Sequence, residues 1–445
     1  MKVLKIFLSG ITPYADNRGV AAIFRGTLEF LERAFSNYRL KVYVWHTYPE
    51  SLQRHHKGVI TSKFASKNID VEVIPHVSTS CRSTYICLGS YVLKLLLMLL
   101  ITTFLSVLHL PKKFQKIDVL HKIFISDFVV ELSFGDFFTD TYYGNLGGFL
   151  NLMRILLLTL SGKPLYMFPQ SIGPFKHSLN KALSRFILNK TKLICIREPN
   201  SMENILSMGV DRAKIKFIPD MAFLLHPISL TEAQEILERE GLTSKHSKKS
   251  IGVTLNLLTI ASMKKPERIM FLHKLAIALD RLSEEHNASI VFIPHVTIII
   301  PNQCDCRRLS ISVQGMLRNK VHSVVLTKEY SVEELWGVIG LCNVVISMLT
   351  HPVIAALKAG VPVVAISYSH KTLGIMKLFN MERYVVDYHD FDDNSLNRMV
   401  NDLLKDYDDI RQKLLTRAHA IIENLHNFQD SFFQRYSVHD KKYSC

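Results

Sequence analysis

The sequence predicts an α/β protein of two consecutive βαβ domains that face each other across a cleft. Three observations carry this. Short apolar runs alternate with amphipathic helical stretches along almost the whole chain, as parallel sheets with helical crossovers require. At 445 residues the chain is too long for one ordinary core. The alternation breaks once, near residues 223–249, where the capping box Ser229-Leu-Thr-Glu232 and the polar run Ser244 to Ser250 separate two similar halves. The expected division is residues 1–225, a 226–249 linker, residues 250–425 with closing helices, and a polar tail at 426–445.

In order, the first half reads as strand Val3 to Leu8, a turn, a helix from Val20 to Phe35, and strands Leu40 to Trp45 and Val71 to Ile74. A strand from Phe128 then ends at Gly135-Asp136, with Asp140 close by. Strand Leu165 to Phe168 leads into the turn Gln170-Ser-Ile-Gly-Pro174, and strand Leu193 to Ile196 ends at Arg197. In the second half, strand Ile251 to Leu255 precedes a helix opened by Pro266, and strand Ser289 to Ile293 ends in Pro294-His295. The stretch Asn343 to Met376 is the plainest βαβ unit: strand, His351-Pro352 at a helix start, Gly360, a second strand to Ser367, then Tyr368 and Lys371. Open parallel sheets bind ligands beyond the carboxyl ends of their strands. The polar residues at those ends are Asn17, Asp136, Asp140, Gln170, Arg197, Asp220, Asn256, His295, Asp305, His351, Tyr368 and Lys371, of which Asp220 and Asn256 serve equally well as caps or turn formers.

Composition narrows the partners. A hydrophobic share of 48% with 21% charged is globular. A net charge of +15 favours an acidic partner, either a phosphorylated or carboxylated small molecule or an anionic membrane. The charge is dispersed, without basic blocks interleaved by aromatics, which argues against nucleic acid. Seven cysteines, an odd number, suit reduced thiols in a cytosol. Cys304-Asp-Cys306 has no second paired cluster, so no metal site is expected. The apolar stretch 85–110 is interrupted by Lys94 and reads as a helix buried in the first domain or lying in a membrane interface, with Lys112, Lys113 and Lys116 beside it. Dinucleotide, P-loop, hydrolase-elbow and zinc-protease fingerprints are missing from the sequence. Cations at strand ends suit a donor bearing phosphate and carboxylate, while a carboxylate with a histidine suits proton transfer.

Several pieces in order resemble the polysaccharide pyruvyl transferases. They are Asn17-Arg18-Gly19, Asp127-Phe-Val-Val-Glu131 with Gly135-Asp136, Gln170-Ser-Ile-Gly-Pro174, Ile196-Arg-Glu-Pro-Asn-Ser201, Pro219-Asp220, Ile293-Pro-His295, His351 with Gly360-Val-Pro362, and Ser367-Tyr368-Ser-His-Lys371. The resemblance implies two Rossmann-like domains in a GT-B-like pair. It implies transfer of a pyruvyl group from phosphoenolpyruvate, as donor substrate and without a further cofactor, to sugar hydroxyls of a cell-surface polysaccharide or its lipid-linked precursor. It implies His351 near the transferring carbon and Asp136 or Asp140 toward the acceptor, with acid and base unassigned. Arg197, Lys371, His295 and Tyr368 would hold the donor, and Asn17 and Gln170 the acceptor. Expected partners are thus a glycan or lipid-linked oligosaccharide and a membrane surface, on a cytoplasmic protein that is peripheral if it binds membrane at all. One position departs: the family's usual Arg two residues before the histidine is Leu349 here. Loss of one buried cationic contact costs ~2–5 kcal/mol, so either another cation such as His370 or Arg197 substitutes or donor use has changed. A nucleotide-sugar-dependent GT-B glycosyltransferase and a non-catalytic glycan-binding relative are the alternatives.

Overall fold

The computed structural model describes residues 2–12, 17–45, 68–74, 94–102, 117–141, 144–242, 249–300, 303–318, 320–367 and 370–440. The chain divides into two compact units. The first comprises Met1–Tyr14, Thr27–Met221 and Asn424–Cys445, and the second comprises Ala15–Gly26 and Ala222–Glu423.

The first unit holds a seven-stranded sheet: β1 (Lys2–Ser9), β2 (Tyr38–Trp45), β3 (Ile69–Ile74), β4 (Phe128–Glu131), β5 (Leu165–Gln170), β6 (Leu193–Ile196) and β7 (Ile215–Phe217). Its order is β3-β2-β1-β4-β5-β6-β7, with every neighbouring pair parallel. Strands β4, β5 and β6 are buried at every residue, which is why they read as near-continuous apolar runs, broken only by Glu131 and Gln170 at the ends of β4 and β5.

Residues 426–440, read from sequence as a polar tail, are the last turns of the helix Tyr407–Asp440. Phe428 and Phe432 carry an i,i+4 apolar stripe within those turns. The Phe432 ring meets those of Phe30, Phe35, Phe128, Tyr166 and Phe168 at centroid separations of 5.0–6.1 Å and is buried. One aromatic per turn on this face, diluted by polar neighbours, leaves no mark on the composition of the segment.

The second unit holds β8 (Lys249–Thr254), β9 (Ala288–Phe292), an antiparallel pair β10 (Thr297–Ile300) and β11 (Gln303–Asp305), then β12 (Ser323–Val325), β13 (Val344–Ser347), β14 (Val363–Ser367) and β15 (Val385–Asp387). Its main sheet runs β12-β9-β8-β13-β14-β15 and is parallel throughout. Each unit therefore has the doubly wound order, with its topological switch between β1 and β4 or between β8 and β13. The predicted capping box at Ser229/Glu232 is formed, and a second stands at Ser331/Glu334. The hairpin β10–β11 is not among the elements expected from the sequence.

Of the stretch 85–110, only 94–102 falls within the described residues and is helical. Leu95, Met98 and Leu99 pack into the first unit's core, while Leu96, Leu97 and Leu100 are exposed. Lys112, Lys113, Lys116 and Tyr368 lie outside the described residues, as does most of the polar run Ser244 to Ser250.

Candidate active site

The second unit's switch point is the mouth formed by the ends of β8 and β13. The hydroxyls of Thr254 and Ser347, one from each strand end, are 2.6 Å apart, and Ser347 Oγ accepts the Leu349 N–H at 3.1 Å. This bond sets the turn from β13 into the helix Thr350–Lys358. Leu349 stands at the N-cap without a side-chain capping bond, and Pro352 contributes no N–H. His351 sits on the first turn of this helix, where the partial positive charge of aligned peptides favours an anion. Lys371 lies in the helix His370–Leu378, half-buried, and the Thr350 and Thr372 hydroxyls hold the starts of the two helices together at 3.0 Å.

Residues 17–26 belong to this unit too. Asn17 caps the helix Arg18–Ala34, accepting the N–H groups of Gly19 at 3.0 Å and Val20 at 3.4 Å, and it forms a β-bridge with Val296. Arg18 is buried and fully engaged. Its guanidinium donates to Tyr330 O at 3.0 Å, Glu329 Oε2 at 2.7 Å and Thr297 Oγ1, and its N–H donates to His295 O at 2.9 Å. Gly19 is required by packing: an added Cβ would overlap Nδ1 of His351 and come within 2.9 Å of its Cγ. The His351 ring therefore rests directly on the start of this helix.

His295 is buried, and its Nδ1 lies 3.1 Å from Ile293 O, so Nδ1 carries the hydrogen and Nε2 the lone pair. That Nε2 is buried with no hydrogen-bond partner among the described residues. Burial, then the charges of Arg18 and His351, push the imidazole down to about 3 against the opposing bond to Ile293. The expected cation at His295 is thus a neutral ring.

The first unit's switch point lies between the ends of β1 and β4. Beyond β4 the backbone turns through Ser133, Phe134 and Gly135, all left-handed, and delivers half-buried Asp136. Arg197, at the end of β6, is buried and paired with Asp220, and its Nε lies 3.3 Å from Ser171 Oγ. Burial opposes its charge, but Asp220 and then Asp136 more than offset that and raise its pKa. Arg197 therefore already holds one carboxylate, that of Asp220, and lies in the field of a second, Asp136. Gln170 is buried; its Nε2 donates to Glu131 O at 3.1 Å and Phe168 O at 3.2 Å, and its Oε1 has no partner among the described residues.

Asp140 stands apart from Asp136 in its work. Its carboxylate accepts the N–H groups of Lys176 at 2.9 Å and His177 at 3.0 Å and the amide of Asn180 at 3.3 Å, securing the start of the helix Ser178–Lys190. Burial raises its pKa, but these bonds outweigh it and the net direction is down.

Sequence motifs mark Arg18, Gly19 and Glu131 without revealing their work. Arg154 interrupts the apolar helix Gly144–Leu160, and a charge in such a helix is itself a signal of a buried partner.

Comparison with known proteins decides the family. Residues 17–370 match the family described as polysaccharide pyruvyl transferase. The chain belongs to that family. This transferase is also similar to the amylovoran biosynthesis protein AmsJ of Erwinia amylovora, with 26% identity over 293 residues, covering 65% of this chain and 68% of AmsJ. In fold it is similar to the UDP-GlcNAc 2-epimerase of Neisseria meningitidis (TM-score 0.54, 12% identity, 96% of this chain and 100% of that one). It is similar as well to Anabaena Alr3699/HepE (TM-score 0.53, 12% identity, 96% and 99%). At that identity the likeness establishes the GT-B-like α/β fold alone.

Proposed function

We propose that this transferase moves a pyruvyl group from phosphoenolpyruvate to hydroxyls of a cell-surface polysaccharide or its lipid-linked precursor, forming a cyclic ketal. The observation that carries the reading is the family match over residues 17–370. Chemically, the donor's methylene carbon takes a proton and becomes a methyl group while one sugar hydroxyl bonds to the adjacent carbon. A second hydroxyl then displaces phosphate from that carbon, and the remaining hydroxyl proton is lost. The donor itself supplies the transferred group, so the reaction as proposed involves no resident cofactor.

Proton transfer requires an acid and a base, and anionic oxygens require positive potential. His351, on the uncapped first turn of Thr350–Lys358, supports the donor role, with Lys371 as a neighbouring cation. Asp136 is the carboxylate we assign to the acceptor hydroxyl. Arg197, His295, Gln170 and Asn17 support the site by what they hold: Asp220, a buried lone pair, the β4–β5 edge and a helix start.

Leu349 favours a second reading. With an aliphatic side chain at this helix start, a nucleotide-sugar donor or a purely glycan-binding role needs no change of fold. Thermal-shift titration separates them, because a ligand that binds only the folded state raises the midpoint. Stabilisation by phosphoenolpyruvate and not by UDP- or GDP-sugars is expected. Mass spectrometry of a glycan pool after incubation with both donor types then names the group added, and a hexose increment would replace our reading.

Among the described residues no helix is long and apolar enough to cross a membrane. Exposed Leu96, Leu97 and Leu100, together with the net positive charge, support peripheral attachment at the cytoplasmic membrane face. Sedimentation with anionic vesicles and release by salt test this; no sedimentation at low salt counts against it.

A further inference from the structure

We infer that Glu131 and Arg154, a buried ion pair at the first unit's switch point, are positioning residues that hold a strained turn so that it presents Asp136. The inference rests on the assignment of Asp136 above and adds how that carboxylate is aimed.

The turn is costly by itself. Ser133, Phe134 and Gly135 have φ of 41°, 51° and 84°. Only glycine adopts this region without steric penalty, and such residues persist only where their surroundings over-determine them. Here the surroundings are specific. Glu131 Oε1 accepts both the backbone N–H and the hydroxyl of Ser133, each at 2.9 Å. Phe134 N–H donates to Gly10 O at 2.5 Å, Asp136 N–H to Ser133 O at 3.0 Å, and Ser171 N–H to Gly135 O at 2.8 Å. Gly10 itself, at φ +65°, leaves no room for a side chain: a Cβ would overlap Glu131 Oε1 and Ser133 N and come within 2.8 Å of Ser133 Cα.

Arg154 ties the other side. Its guanidinium grips Glu131 through Nη1–Oε2 at 2.8 Å and Nη2–Oε1 at 2.7 Å, and it reaches Ser9 Oγ. The same guanidinium donates to Asn151 Oδ1 at 2.9 Å, and Asn151 Nδ2 donates to Phe137 O at 2.7 Å. Asp136 therefore sits between two tie points, Ser133 and Phe137, that both lead back to one ion pair. Burial opposes the Glu131 charge, but Arg154 and Ser133 outweigh it, so the carboxylate stays ionised.

A pair kept only for stability would look different in one respect. Replacing both members of a buried ion pair together leaves no orphaned charge and is often tolerated. The test is therefore the paired replacement Glu131→Gln with Arg154→Met, alongside Arg154→Lys, which keeps the charge and loses the fork. Turnover is read as phosphate release from phosphoenolpyruvate with acid-depyruvylated polysaccharide as acceptor. We expect the paired variant to keep its melting midpoint, to lose at least tenfold in kcat with KM for phosphoenolpyruvate within twofold, and to lose less than twofold further in an Asp136→Asn background. Hydrogen exchange of amides 133–137 should rise at least tenfold, a readout that needs no turnover. Unchanged exchange overturns the inference, as does an equal kcat loss in both backgrounds. If Asp136→Asn alone leaves turnover intact, the assignment of Asp136 falls and the inference with it. If Asp136→Asn is inactive but the paired variant and Arg154→Lys keep full turnover, the inference alone falls.

Discussion

The two switch points share a strand order and differ in how they handle charge. In the first unit the mouth between β1 and β4 is locked by buried ions: Glu131 with Arg154, and Arg197 with Asp220. In the second the ends of β8 and β13 meet through neutral hydroxyls, and the unit's buried Arg18 is paired with the exposed carboxylate of Glu329. Two hydroxyls touch, a lone-pair-bearing His295 lies buried, and a helix begins without a side-chain cap beneath His351. Topology thus decides where a site opens, while local side chains decide what it attracts. Cations already paired with carboxylates stabilise a shape. Uncapped peptides and a histidine at a helix start leave potential for a ligand.

The strongest way to break this contrast is His351→Ala. If the second mouth carries the chemistry, kcat for pyruvyl transfer falls by roughly 10²–10⁴-fold with folding intact. Retained turnover would move the chemistry elsewhere.

The two glycines that shape the mouths should then behave oppositely. Gly10→Ala meets both a left-handed φ and an occupied space, so it should destabilise by about 3 kcal/mol, measured by urea unfolding. Gly19→Ala is helical and gains propensity, but it displaces the His351 ring. Turnover should drop about tenfold while stability stays within ~1 kcal/mol.

A third measurement uses pH. His295 titrates at about 3 in the folded protein against ~6.5 when unfolded. Below pH 6.5 the unfolded chain takes up a proton that the native ring refuses. Stability is therefore full above that pH and declines as pH falls toward 3. Between pH 7 and pH 5 the loss due to this group is about 2 kcal/mol. Urea midpoints at the two pH values should converge in His295→Gln, and a parallel shift in both proteins would show that His295 is not the source.

The smallest effect is expected at Asp140. As an acceptor for the N–H groups of Lys176 and His177, Asp140→Asn should cost about 1 kcal/mol of stability and leave kcat unchanged. A large loss of kcat without loss of stability would instead give Asp140 the chemical role that we assign to Asp136.

Much of the fold was legible because its signals are local. Strand runs such as Leu193–Ile196 are apolar along their whole length, helix starts such as Ser331 carry their capping partner three residues on, and Gly360 ends its helix in a left-handed turn. The polar strand-end residues were legible for the same reason, since parallel sheets put function there. What the sequence does not display is the partner of a charge. Arg197 read as a free cation, yet Asp220, 23 positions away, neutralises it. His295 is expected to hold the donor, yet burial keeps its ring neutral. The sequence by itself determined the alternation of strands and helices, the family motifs and the list of candidate residues, because periodicity and turn chemistry act over a few positions. Only the tertiary structure decided which of those residues are charged, which are spent on holding others, and that Arg154 belongs with Glu131. Those outcomes depend on burial and on contacts between residues far apart in the chain.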